Sequence, residues 1–273
     1  MLFPEEGELS GKLAELARDE EWHFHLMGSA ADYLRSKDLQ PEPALMLDNQ
    51  IIERVESPFI KSLGKLSERT LTIEDVTECI ATSEYSEWND IFLYVINTLK
   101  NHSRAFQFGA AMMQNHIARV ETLLEGAPEE QELLQKVRKL PRVWKQHVLI
   151  VEDDVPVREL LRSFFERRAI VDTAENGALG LEKVHGRFFD AIICDMPIMN
   201  GMDFFRHATA QDPNLCHRFV FCSGCVSPDL LHFLLDHNQP FMAKPFSLSE
   251  LEAVVAKIMK SAARETEFLG VKN

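Results

Sequence analysis

The sequence is poor in the features that would take it out of the ordinary globular class. Its five cysteines, Cys79, Cys194, Cys216, Cys222 and Cys225, are odd in number and irregularly spaced. That excludes a disulfide-stapled secreted module and points to a reducing compartment. No run of bases occurs: 29 lysines and arginines stand against 43 acids, a net charge of −14. A surface without clustered cations cannot displace counterions from a phosphate backbone, so a nucleic-acid partner is excluded. Dividing the chain after residue 145 leaves both parts acidic, at −9 and −5. No apolar run approaches the ~20 residues that span a bilayer, and the first residues, MLFPEEGELSGK, carry acids where a secretory signal carries lysines. The expectation is a cytoplasmic protein that binds neither membrane nor nucleic acid.

What is present divides near residue 145. Before it the apolar spacing is helical, over roughly 6–36, 44–64, 72–100 and 103–125, with breaks at QPEP, around GKLSERT and at Asn101 to Ser103. A short charged helix, PEEQELLQKVRK, leads to Pro141. After Gln146, short β-branched strands alternate with amphipathic helices: HVLIVE, AIVDTA, DAIICD, RFVFCS and PFMAK, each followed by a helical segment. The predicted architecture is an N-terminal all-α bundle over 1–126, a helical linker over 127–145, and a C-terminal α/β domain over 146–273 with a five-stranded, doubly wound parallel sheet.

Such a sheet binds ligands beyond the carboxyl ends of its strands. The first strand ends in Glu152 and Asp153 and the third in Asp195, within AIICDMPIMNG; the fourth ends in Ser223 and the fifth in Lys244. Three carboxylates at one rim repel each other unless a hard cation sits among them, and magnesium, which takes one or two carboxylates and keeps several waters, is the natural occupant. Lys244 supplies a compact cation for phosphate oxygens and Ser223 a hydroxyl donor. Asp154, ahead of VPVRELL, is placed to cap the following helix.

In order and spacing, VEDD at 151–154, AENG at 174–177, Asp195 with PIMNG at 197–201, SG at 223–224 and KPF at 244–246 make residues 147–260 resemble the receiver domain of two-component response regulators, a flavodoxin-like fold. The resemblance implies that Asp195 takes a phosphoryl group from the phosphohistidine of a histidine kinase or phosphotransfer protein. It implies that Glu152, Asp153, Asp195 and the Pro197 carbonyl hold magnesium, that Lys244 contacts the phosphoryl group, and that Ser223 and Phe241 form the switch. It also implies a cis bond before Pro245. One departure is visible: Met196 and Pro197 follow Asp195 directly, so the loop is two residues shorter than is usual in that family.

Other constellations suggest further chemistry. Cys222-Ser-Gly-Cys225 reads either as a redox pair able to block Ser223 or as a buried strand-end residue plus a loop cysteine, and the lack of a second pair favours the latter. Glu20 and His23, with Glu84, Glu87 and His116 elsewhere, invite comparison with ferritin-like metal-binding bundles, although His116 has methionine three places before it. His25, in FHLMGSAADYL, sits one residue out of register with a phosphotransfer histidine. Ile91 to Val120 contains no acid and reads as the core hairpin of the bundle, with a homodimer through the helical domain as one use for any surface left over. The function that follows is a phosphorylation-controlled signalling protein and not an enzyme. The competing readings are a metal-loaded helical sensor and a receiver-like adaptor that never takes phosphate.

Overall fold

A computed structural model describes residues 7–37, 49–87, 90–125, 131–195, 198–224 and 227–261. Its contacts divide the chain into two units, Met1–His102 with Met112–Val143, and Ser103–Ala111 with Trp144–Asn273.

The first unit is built from α1 (Gly7–Ser36), α2 (Asn49–Glu68), α3 (Ile73–Glu87), α4 (Asp90–Leu99), the greater part of α5 (Arg104–Glu125) and α6 (Gln131–Arg138). Side chains three and four apart form its core: Trp22, Leu26 and Ala30 of α1, Ile96 and Leu99 of α4, and Met113, Ile117, Val120 and Leu124 of α5 are buried. The acid-free stretch predicted as a core hairpin is thus buried at these positions. Helix α2 runs on to Glu68, four residues past the helix end expected at 64 and inside the break expected around GKLSERT. Gly64 in a surface turn costs only about 1 kcal/mol, too little to stop a helix. The chain stops instead at Arg69, whose φ of 59° is left-handed, and the Thr70 N–H closes onto the Lys65 carbonyl at 2.9 Å. Asp75 and Thr72 then cap α3 reciprocally, each side chain accepting the other's backbone N–H.

The second unit holds a five-stranded all-parallel sheet in the order β2-β1-β3-β4-β5, from β1 (His147–Glu152), β2 (Ile170–Ala174), β3 (Ala191–Asp195), β4 (Phe219–Ser223) and β5 (Phe241–Ala243). The helices are α7 (Val155–Phe165), α8 (Gly177–Gly186), α9 (Ile198–Gln211), α10 (Pro228–Asp236) and α11 (Leu248–Ser261). The central strands are continuous apolar runs because both faces are covered. Alternate residues serve the two sides: Leu149, Val151, Ile192, Cys194, Phe219 and Phe221 pack with residues of α8, α9 and α10. Val148, Ile150, Ala191, Ile193, Val220 and Cys222 pack with α7 and α11. Gly201 lets α9 come close under β3, since a Cβ there would stand 3.2 Å from the Cys194 sulfur.

The amino-terminal edge of the sheet carries a buried polar anchor that sequence reasoning did not anticipate. Asp190, just before β3, accepts the indole N–H of Trp144 at 2.9 Å and the backbone N–H of His147 at 2.7 Å. Burial pushes its carboxyl upward, and the charge of nearby Arg218, itself buried, pulls the other way. The Arg218 guanidinium lies 4.5 Å from the centre of the Phe188 ring and 5.6 Å from that of Phe108. The opening turns of α5 complete the cluster: the Phe188 N–H donates to Gln107 Oε1 at 2.9 Å, and Arg104 pairs with Asp212.

Removing the Asp190 carboxylate leaves the Trp144 indole N–H and the His147 backbone N–H without the acceptor they share. Asp190→Ala is expected to lower unfolding stability by about 1–3 kcal/mol, and Asp190→Asn, which keeps one acceptor, by less. Urea denaturation followed by circular dichroism measures both; equal, near-zero effects would contradict the anchor.

Candidate functional site

The site lies at the carboxyl rim of the sheet and is set by strand register. β1 and β3 pair in parallel with Glu152 opposite Asp195, so the last residue of each strand brings its carboxylate to the same edge. β4 and β5 pair with Ser223 opposite Ala243, and the Lys244 N–H donates to the Ser223 carbonyl at 2.8 Å. Lys244 is thereby placed to reach back across the rim. Its ammonium lies 2.7 Å from Asp195 Oδ1 and 3.8 Å from Glu152 Oε2. The Lys244–Pro245 bond is cis.

Local structure holds the acids in position. Asp154 caps α7, accepting the Val157 N–H at 3.0 Å, and its own N–H donates to Glu152 Oε1 at 2.9 Å. Arg158, one turn into α7, donates to the Glu152 carbonyl at 2.6 Å and the Asp153 carbonyl at 3.3 Å. Sequence reasoning missed this residue; its signal was a base four places beyond a capping aspartate, where a helical side chain points back toward the strand end. Asn176 likewise caps α8, accepting the Leu179 N–H.

The electrostatics are those of crowded negative charge. Glu152 and Asp195 are 2% and 4% exposed. Burial chiefly, with Asp195 beside it, pushes the Glu152 carboxyl up to about 8, against the opposing pull of the Asp154 N–H and Lys244. Burial lowers Lys244, but Asp195 and Glu152 outweigh it and the net displacement is upward, so the ammonium stays charged. Burial also raises the thiols of Cys194 and Cys222, which disfavours a reactive thiolate at either. Among the described residues, Glu152 Oε2 and Asp195 Oδ2 are buried and receive no hydrogen bond.

The structure therefore brings together Glu152, Asp195 and Lys244, with Ser223 half-buried at the adjacent strand end. Asp153 is exposed at the rim next to Glu152. Phe241, half-buried at the start of β5, sits beside Phe221 and packs against the α8–α10 side of the core. Pro197 and Cys225 lie outside the described residues, as do the side chains of Glu20, Glu84 and Glu87. Helix α9 begins at Ile198, so the connection from β3 is the two residues 196–197. Among the described residues no group of three or more His, Cys, Asp or Glu is disposed to hold a metal. Two buried carboxylates side by side, with Glu152 Oε2 lacking a donor, do fit a magnesium ion that keeps most of its waters. In the helical unit, His23 and His116 are buried with ring centres 4.6 Å apart, and His25 is exposed. No described helix is long and apolar enough to cross a membrane.

Residues 148–256 match the sequence profile of the response regulator receiver domain. The response regulator receiver protein CpdR of Brucella abortus (strain 2308) is 29% identical over 122 residues, 43% of this chain and 99% of that protein. Among solved structures, a CheY-like receiver domain protein from Methanospirillum hungatei JF-1 is 21% identical over 45% of this chain and 99% of its own, with a TM-score of 0.42. Chemotaxis protein CheY4 of Vibrio cholerae is 24% identical over 42% of this chain and 99% of its own, with a TM-score of 0.39.

The raised carboxyl of Glu152 has a signed consequence. Between its ordinary value of 4.5 and about 8, the folded chain retains a proton that the unfolded chain has released, so stability falls as pH rises through that window. Without divalent cations, the melting temperature is expected to decline from about pH 5 to about pH 8, and magnesium to oppose the decline. Glu152→Gln should flatten the profile. A slope indifferent to both magnesium and the substitution would show that the rim charges are not in conflict.

Proposed function

We propose that the chain acts in two-component signalling, a reading its C-terminal receiver domain supports, and that Asp195 is the phosphoacceptor through which it is switched. The observation that carries this reading is the division of labour on one carboxylate: Oδ1 is bound by Lys244, while Oδ2, buried beside Glu152, receives no hydrogen bond among the described residues. An oxygen so placed is the poorer solvated and the better nucleophile.

In the proposed reaction Asp195 Oδ2 attacks the phosphorus of a phosphohistidine presented by a histidine kinase or phosphotransfer protein. The new O–P bond forms as the N–P bond breaks, and the electron pair leaves with the imidazole. Lys244 transfers its attention from Asp195 to a phosphoryl oxygen, which its ammonium can follow on a flexible stem. Ser223 donates its hydroxyl to another of these oxygens. Magnesium, held by Glu152 and Asp195 with Asp153 and the Pro197 carbonyl as the further ligands the resemblance implies, would supply the charge neutralisation that lets the anions meet. Movement of Ser223 opens room at the end of β4, and Phe241, already against the core, turns inward. The surfaces of α10 and α11 change with it, and their altered affinity for a partner is the output. In this reading residues 1–126 are a helical interaction or sensory module, 127–145 a linker and 146–273 the receiver, working in the cytoplasm as a signalling protein and not an enzyme.

Incubation with acetyl phosphate and magnesium is expected to add one phosphoryl group to Asp195, read by intact mass and peptide mapping. Asp195→Asn should remove the modification, chelation of magnesium should suppress it, and Lys244→Ala should slow it about a hundredfold. A wild-type chain left unmodified, or labelled equally in Asp195→Asn, would refute the assignment.

A further inference from the structure

Arg158 stands between acids along the chain, Glu152, Asp153 and Asp154 before it and Glu159 after it, yet among the described residues its guanidinium pairs with no carboxylate. It goes to the backbone instead. Nη1 donates to the Glu152 carbonyl at 2.6 Å and to the Asp153 carbonyl at 3.3 Å, which belong to the peptide units before and after Asp153. Holding both planes from one point sets the two soft torsions of Asp153, and with them the direction in which its side chain leaves the strand end. Asp153 is exposed, and its carboxylate makes no hydrogen bond among the described residues, so these backbone ties are what orient it. The same guanidinium reaches Glu152 indirectly. The peptide unit joining Asp153 to Asp154 gives its carbonyl to Arg158 and its N–H to Glu152 Oε1 at 2.9 Å. That unit is trans and planar, so turning the carbonyl turns the N–H with it. Arg158 is itself fixed by the first rung of α7, its N–H donating to the Asp154 carbonyl at 2.9 Å.

We propose that Arg158 is the positioning residue for a divalent cation at this rim, holding Asp153 and Glu152 in the directions from which they share one ion. The proposal rests on the reading of Asp195 as a magnesium-dependent phosphoacceptor and adds to it a residue that acts only through the backbone of the acids. Charge and geometry make opposite demands here. A guanidinium near the rim repels a divalent ion, so if Arg158 acted by its field alone, removing it would tighten magnesium binding. If it acts by aiming the two acids, removing it weakens binding, because outer-shell partners of metal ligands typically contribute about ten- to a hundredfold in affinity. The sign of the change separates the two. Both bonds come from a single nitrogen, so a lysine ammonium, which carries three donors, can reproduce them in part, whereas a methionine of similar length can make neither.

Calorimetric titration of the full-length chain with magnesium tests this with no phosphodonor present. Arg158→Met is expected to raise the dissociation constant about tenfold or more, and Arg158→Lys to recover much of the loss. Arg162→Ala, one turn further along α7 and paired with Glu159 and Glu166, should leave it unchanged. Because Asp154 still caps α7, the variants should keep the wild-type circular dichroism in EDTA. With acetyl phosphate added, the Arg158→Met defect should fall on the half-saturating magnesium concentration and not on the rate at saturation. Unchanged or tighter magnesium binding in Arg158→Met overturns the proposal, as does a lysine variant as weak as the methionine one, or a wild-type chain that binds no magnesium. The two readings fail separately: phosphorylation of Asp195 with no effect of Arg158→Met on magnesium sinks only the positioning role, whereas Arg158-dependent magnesium binding in a chain that takes no phosphate sinks only the phosphoacceptor.

Discussion

Two carboxylates that burial has left short of solvation, with one ammonium to share between them, are the condition on which the rest of the receiver half is arranged. Glu152 and Asp195 are forced together by the register of β1 against β3, and the register is forced by which alternate residues are apolar. A slip of one residue would send Cys194 and Val151 to the wrong face and separate the two acids at the same time. Core packing and site chemistry are therefore specified by the same alternation, and neither can be altered alone.

Everything near the pair serves to hold it in that unfavourable state. The cap made by Asp154, the Arg158 guanidinium on two strand-end carbonyls and the backbone bond joining Lys244 to Ser223 fix the rim without neutralising it. Lys244 supplies the one ammonium paired with both acids among the described residues, and their charge keeps it protonated against the pull of burial. In the proposed function, a site poised in this way gains by admitting a divalent ion or a phosphoryl group.

Much of this was readable in advance, for a physical reason. The five strands were visible because a parallel sheet covered on both faces needs unbroken apolar runs, and the acids were visible because they interrupt those runs at their ends. Asp154 was legible as a cap because its only reward is local. Arg158 and the Asp190 anchor were not, since each acts on groups distant in sequence that only the fold brings near. The break around GKLSERT was legible, but the helix runs four residues further into it than expected because a solvent-facing helix tolerates Gly64.

The cluster around Arg218 also bears on where this protein can be cut. Gln107 and Phe108, some forty residues ahead of the first strand, satisfy the Phe188 amide and pave one side of the guanidinium. A fragment begun at the conventional family boundary would leave that amide and that ring bare to water, so the autonomous piece of this molecule is longer than its recognisable part, and not contiguous along the chain.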